Sequence, residues 1–154
     1  MRSLSARLLI YYIVMTNRFF PWFLVVFIAG INAANYWAIH HSSYFYIPRL
    51  DIPMHFLCGV WIGLATLWWY FFSGRFLNIP DGRRTAIFSL NLTFFSALTI
   101  AVLWEVFEYV VHIVMERPYL NNIPNSGSDI FFGVLGAMFA AGFFVIKKYF
   151  LIKR

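Results

Sequence analysis

The chain has 154 residues, of which 62% are hydrophobic, 22% aromatic and only 12% charged. Soluble domains carry about 25% charged residues, so this composition leaves too little polar surface for a water-soluble globule, and its hydrophobicity also excludes a disordered chain. One cysteine, Cys58, excludes an intramolecular disulfide framework. The net charge of +6 does not mark a nucleic-acid binder, because the basic residues sit at segment ends rather than in an aromatic-interleaved patch. They are the topology signals of an all-α membrane protein.

Arg2 and Arg7 ahead of the apolar run Leu8 to Met15 have the look of a secretory signal. Thr16-Asn17-Arg18 offers no small-residue cleavage site, however, and another apolar run begins at once, so the segment reads as retained. Leu4 to Met15 is either a short helix lying on the membrane surface, its arginines among the headgroups, or an extension of the first span. Residues 1–18 are thus cytoplasmic or interfacial.

A spanning helix needs roughly 20 mostly apolar residues at about 1.5 Å each, and four stretches qualify. The first covers about 21–39, with Phe19, Phe20 and Trp22 at one interface and Tyr36 and Trp37 at the other. The second covers about 51–72, entered through Pro48 and Pro53, a position where the missing donor costs little. The third covers about 85–115 and stops at Arg117-Pro118; it is longer than the hydrocarbon requires and must tilt or protrude. The fourth covers about 129–146 and ends at Lys147-Lys148. The expectation is a single integral membrane domain over 1–154, a bundle of four transmembrane helices.

Arg2, Arg7 and Arg18 precede the first span, Arg75, Arg83 and Arg84 separate the second from the third, and Lys147, Lys148, Lys153 and Arg154 follow the fourth. Ten of the twelve basic residues therefore share one side, leaving Arg49 and Arg117 on the other. The positive-inside rule puts both termini in the cytoplasm.

With that topology, Asp51, Glu105, Glu108, Glu116 and Asp129 all fall at outer ends of helices, and only Asp81 is cytoplasmic. His55 follows Asp51 by one helical turn, and His112 follows Glu108 in the same way. At 100° per residue, Glu105, Glu108, His112 and Glu116 share an arc of about 80°. Gly59 and Gly63 on the second span, and Gly133, Gly136, Ala137 and Ala140 on the fourth, form small-residue faces. Such faces let backbones approach closely in lipid, which would press the acidic faces together or join copies of the chain into a homo-oligomer.

An ionised group costs about 2.5–3.5 kcal/mol at the bilayer centre, so a cluster of them points to a role. Three readings compete. In the first, Asp51, His55, Glu105, Glu108 and Asp129 hold a divalent cation, a donor set that suits Zn²⁺, Mn²⁺ or Fe²⁺, with Mg²⁺ as a further candidate. Glu105, Glu108 and His112 are then the catalytic candidates, acting on a membrane lipid or envelope substrate. In the second, Glu105, Glu108 and His112 titrate in sequence as a relay in a proton- or cation-coupled transporter subunit. The third is a non-catalytic scaffold with local pairs Asp51–His55 and Glu108–His112, and with Asp51 and Asp129 capping helix N-termini. That last reading leaves Glu105 and Glu108 unexplained, because both lie toward a helix C-terminus, where the dipole disfavours negative charge.

Other marks are bland. Asn91-Leu92-Thr93 fits a glycosylation acceptor inside a span. Cys58, three residues after His55, reads as a packing residue with ligation as the alternative, and His40-His41 as polar loop residues with a metal contact as the alternative. Among the short motifs, no phosphate loop, C-x2-C pair or H-E-x2-H is present.

Asp51-Ile52-Pro53-Met54-His55-Phe56 with Gly59, the block Trp104-Glu105-Val106-Phe107-Glu108-Tyr109, and Asp129-Ile130 leading to Gly136-Ala137 resemble the YjdF-like bacterial membrane proteins. These in turn resemble the VanZ-like family. The resemblance spans roughly 51–141 and implies that Asp51, His55, Glu105, Glu108 and Asp129 form a set in a bacterial inner-membrane protein. Familiar members carry more aspartate just before the last helix, where this chain has Asn122, Asn125 and Ser126. VanZ-like relatives are associated with glycopeptide-antibiotic resistance, which implies envelope chemistry. On the metal-site reading, Glu105 or Glu108 is the general base or a ligand, and Arg49 or Arg117 meets an anionic headgroup.

Overall fold

The computed structural model describes residues 19–41, 43–47, 49–73, 86–114 and 123–152. They form α1 (Phe19–His40), a one-turn α2 (Ser43–Tyr46), α3 (Asp51–Phe71), α4 (Ala86–Val114) and α5 (Ile123–Ile152). The four long helices are each long and apolar enough to cross a membrane. The Leu4 to Met15 segment and Arg117 lie outside the described residues.

Three of the four long helices begin and end close to their expected limits. The fourth is the exception: α5 starts at Ile123, not at Asp129. Asn125-Ser126-Gly127-Ser128 has the composition of a loop, yet it is helical, and Pro124 sits in the first turn, where proline needs no donor. The short α2 was not legible either, since a single turn has too few residues to show a period.

The helix–helix interfaces follow the small residues. α3 and α5 run parallel and make the largest interface. Gly59 sits on the backbone of Gly133, Gly136 on that of Phe56 and Val60, and a Cβ added at Gly63 would lie 2.7 Å from Ala137 O. Without side chains between them the two backbones touch, which gives dense van der Waals contact in a solvent that offers no hydrophobic drive between helices. α4 runs antiparallel across both, with Ser89, Thr93 and Ala97 buried in sequence along one side. Leu67, Ala141 and Phe144 close the end remote from Asp129, with Phe71, Phe72, Leu90 and Val145 packed around them.

α1 is peripheral. It buries only Leu24, Ile31 and Ala38, a line at seven-residue spacing, and Trp61 Nε1 donates to Leu24 O at 2.8 Å. A groove of about 640 Å³ between α1, α3 and α4 is lined by Leu24, Trp61, Trp68, Trp69, Leu92 and Ser96 among others. It lies toward the remote end and includes none of the clustered acids or imidazoles.

Candidate metal centre

Three helices each carry a stripe at i, i+4 spacing that ends in a ligating side chain at the same end of the bundle. On α3, His55 stands one turn before Gly59 and Gly63; on α5, Asp129 stands one turn before Gly133 and Ala137. On α4 the stripe climbs through Ser89, Thr93, Ala97 and Ala101 to Glu105. Because the stripes are small where the helices cross, the next residue along each is drawn inward with its neighbours.

His55, Glu105 and Asp129 thereby offer one ligand atom each, all within 4.8 Å of one another. His55 Nε2 lies 3.7 Å from Asp129 Oδ2, and the His55 side chain is 22% exposed while that of Asp129 is 1% exposed. Glu105 Oε2 is shielded from solvent without a hydrogen-bond partner among the described residues. Two carboxylates in so small a space repel one another, and a shared proton or a cation relieves that. Ligand bonds of about 2.0–2.2 Å place neighbouring ligand atoms roughly 3.4 Å apart, so the three atoms would have to draw closer to share an ion. The donor set of one imidazole and two carboxylates fits a borderline divalent cation.

The other sequence candidates surround this triad or stand apart from it. Glu108 Oε1 accepts a hydrogen bond of 2.8 Å from Trp104 Nε1. Asp51 and Glu108 are both within electrostatic reach of Asp129. His112 belongs to the last turns of α4, and its side chain is outside the described residues. Arg49 is exposed ahead of α3 with φ of 62°, in the left-handed region that is uncommon for any residue other than glycine. His41 stacks on Trp37, with centroids 4.6 Å apart, and His40 on Tyr36. Neither these two nor the half-buried Cys58 joins the triad.

Three elements of the scaffold reading are overturned. The residue preceding α3 is Leu50 and no side-chain cap bond is made there, so Asp51 sits in the first turn without capping it. Asp129 lies well inside α5, beyond the orphan donors of the first turn, and caps nothing. His55 pairs across helices with Asp129 instead of locally with Asp51. Sequence reasoning also missed the Ser89-Thr93-Ala97-Ala101 stripe and the Trp104–Glu108 bond. Both had a signal in the i, i+4 spacing, masked in the first case by reading Thr93 only as part of a glycosylation acceptor.

A family model described as "Predicted membrane protein (DUF2238)" matches residues 3–148. No curated protein and no solved structure matches the chain. The match supports a membrane-protein family of uncharacterised function, while the likeness to YjdF-like and VanZ-like proteins rests on the motifs alone.

Proposed function

The chain belongs to the DUF2238 family of membrane proteins, and we propose that it holds a divalent cation at His55, Glu105 and Asp129 and acts there on a lipid or envelope substrate. The observation that carries this reading is the convergence of one ligand atom from each of three helices to within 4.8 Å. Convergence across helices is what local pairing and helix capping do not produce.

The imidazole favours Zn²⁺, Mn²⁺ or Fe²⁺ over Mg²⁺, which prefers an all-oxygen shell. Once bound, such an ion polarises a phosphoryl or carbonyl oxygen or activates a water molecule. Asp51 adds negative charge to the same end of the bundle and strengthens the attraction for a cation. Glu108, oriented by Trp104 and one turn beyond Glu105, is the group for proton movement beside the site, with His112 a further turn on. Arg49, exposed at that end, meets the anionic part of a headgroup, with Arg117 the second candidate for that role from the sequence. The distribution of ten of the twelve basic residues supports the reading of cytoplasmic termini and of a triad facing the outer leaflet of an inner membrane.

Metal content of the detergent-purified protein, measured by plasma mass spectrometry, tests the reading. Near one equivalent is expected in the native chain and in Glu108→Gln. His55→Ala and Asp129→Asn variants that insert normally should lose it. No metal in the native chain after supplementation with Zn²⁺, Mn²⁺, Fe²⁺ and Mg²⁺ would sink it.

A further inference from the structure

The groove between α1, α3 and α4 holds none of the triad, yet its depth in the span selects what can fill it. α1 rests on α3, so α3 is the floor and α1 and α4 are the walls. α3 is 21 residues long, about 31 Å, which matches a hydrocarbon core of about 30 Å. On the topology proposed above, Asp51 stands at the outer interface. The floor residues Trp61 to Tyr70 then begin about 15 Å below it, at the midplane, and run through the inner half of the core. An ordinary outer-leaflet phospholipid fills only its own half, about 15 Å, and stops where the groove begins.

The floor also leads to the metal site. At 100° per residue, the groove residues Ile62, Ala65 and Trp69 share an arc of about 60° on α3 with Cys58 and Asp51. His55 lies between this row and the Gly59/Gly63 row that packs on α5. From the partly exposed imidazole to Trp69 the track is about 21 Å long. At the inner end Tyr70 packs against Phe88 of α4, ring centroids 5.3 Å apart, and bridges floor and wall. The groove is thus obstructed between α3 and α4 at the inner interface and runs on toward the triad at its other end. Its lining is almost wholly apolar, and the Trp61 indole N–H is already bonded to Leu24 O, so a hydrocarbon chain suits it. Its volume of about 640 Å³ is that of a ligand pocket between the helices of a bundle.

We propose that this groove holds the tail of the lipid on which the triad acts, and that this lipid is of the polyprenyl phosphate class, with its anionic oxygen head at the triad and a chain long enough to cross the midplane. Chain length then separates the substrate from the surrounding phospholipids, whose outer-leaflet chains end short of the groove. The head end of the assignment rests on the metal reading, whereas the tail end rests on the groove.

Photocross-linking of purified full-length protein in phospholipid vesicles tests it. One probe is a long-chain polyprenyl phosphate with a diazirine at the far end of its chain; the other is a phosphatidylglycerol with a diazirine at the end of one acyl chain. Peptide mass spectrometry reads the labelled residues. The polyprenyl probe should label the groove preferentially, at Trp68 to Tyr70 or Leu92 to Ser96. Ala65→Trp and Ser96→Phe, which fill the groove from floor and wall, should each lower that labelling at least about tenfold, the loss of burying about two methylene groups of the chain. Metal content should stay near one equivalent in both, because neither residue belongs to the triad. Equal groove labelling by the two probes would assign the groove to an inner-leaflet phospholipid and overturn the proposal, as would polyprenyl labelling that neither variant lowers. A native chain without metal that still labels in the groove, and loses the label in both variants, keeps the tail assignment while the metal reading fails.

Discussion

Thr93 shows how a residue can be buried for shape and carry a cost in polarity. It is among the largest fully buried side chains, on the stripe that leads up α4 to Glu105, and its Oγ1 has no hydrogen-bond partner among the described residues. A helical threonine ordinarily bonds back to the preceding turn, and burial without that bond leaves the desolvation of the hydroxyl uncompensated. Valine has nearly the same shape, so Thr93→Val removes the unmet group and is expected to stabilise the bundle by roughly 1 kcal/mol. Thermal unfolding in detergent measures it. Clear destabilisation would mean that the hydroxyl has an unrecognised partner, such as bound water. At this scale the sequence disclosed the chemistry but not the partners. Asp51, His55, Glu105, Glu108 and Asp129 stand out as polar groups in apolar helices, whereas which of them His55 meets depends on the rotation of α3 against α5. Local spacing favours Asp51 and has no access to that rotation.

At the scale of elements, the glycines divide by what they touch. Gly136 lies on the Phe56 carbonyl and on the Val60 backbone nitrogen, atoms that cannot swing aside, whereas a Cβ at Gly142 would meet nothing within 4 Å. Gly136→Val should therefore force α3 and α5 apart. The expected loss is about 1–3 kcal/mol or more, together with weaker metal binding, because His55 and Asp129 stand on the helices being separated. Gly142→Ala should be neutral or stabilising by up to about 1 kcal/mol through helix propensity. Thermal unfolding of both variants beside a metal titration distinguishes the positions; equal effects would contradict the direct backbone contact. The four long helices and the Gly59/Gly63 and Gly133/Ala137 faces were legible because length and periodicity record burial in lipid. The start of α5 was not, because Asn125, Ser126 and Gly127 are weak helix formers held helical by the apolar continuation after Asp129.

For the whole molecule, the triad draws on α3, α4 and α5 and leaves α1 out. A cation bound there ties together the three helices that form the packed part of the bundle. An ion that binds the folded bundle and not the unfolded chain adds RT ln(1 + [M]/Kd) to stability, about 2.7 kcal/mol at a hundredfold excess over Kd. Chelator-treated protein should accordingly unfold at a lower temperature than protein in Zn²⁺ or Mn²⁺, and the midpoint should rise with added cation. The Asp129→Asn variant should show no such rise, since the most buried of the three ligands is lost while the shape is kept. General screening of charge by divalent ions would act on both proteins alike. A shift of equal size in the variant would thus assign the effect to the membrane surface or to the exposed acids, and would remove the triad as the place where the ion binds.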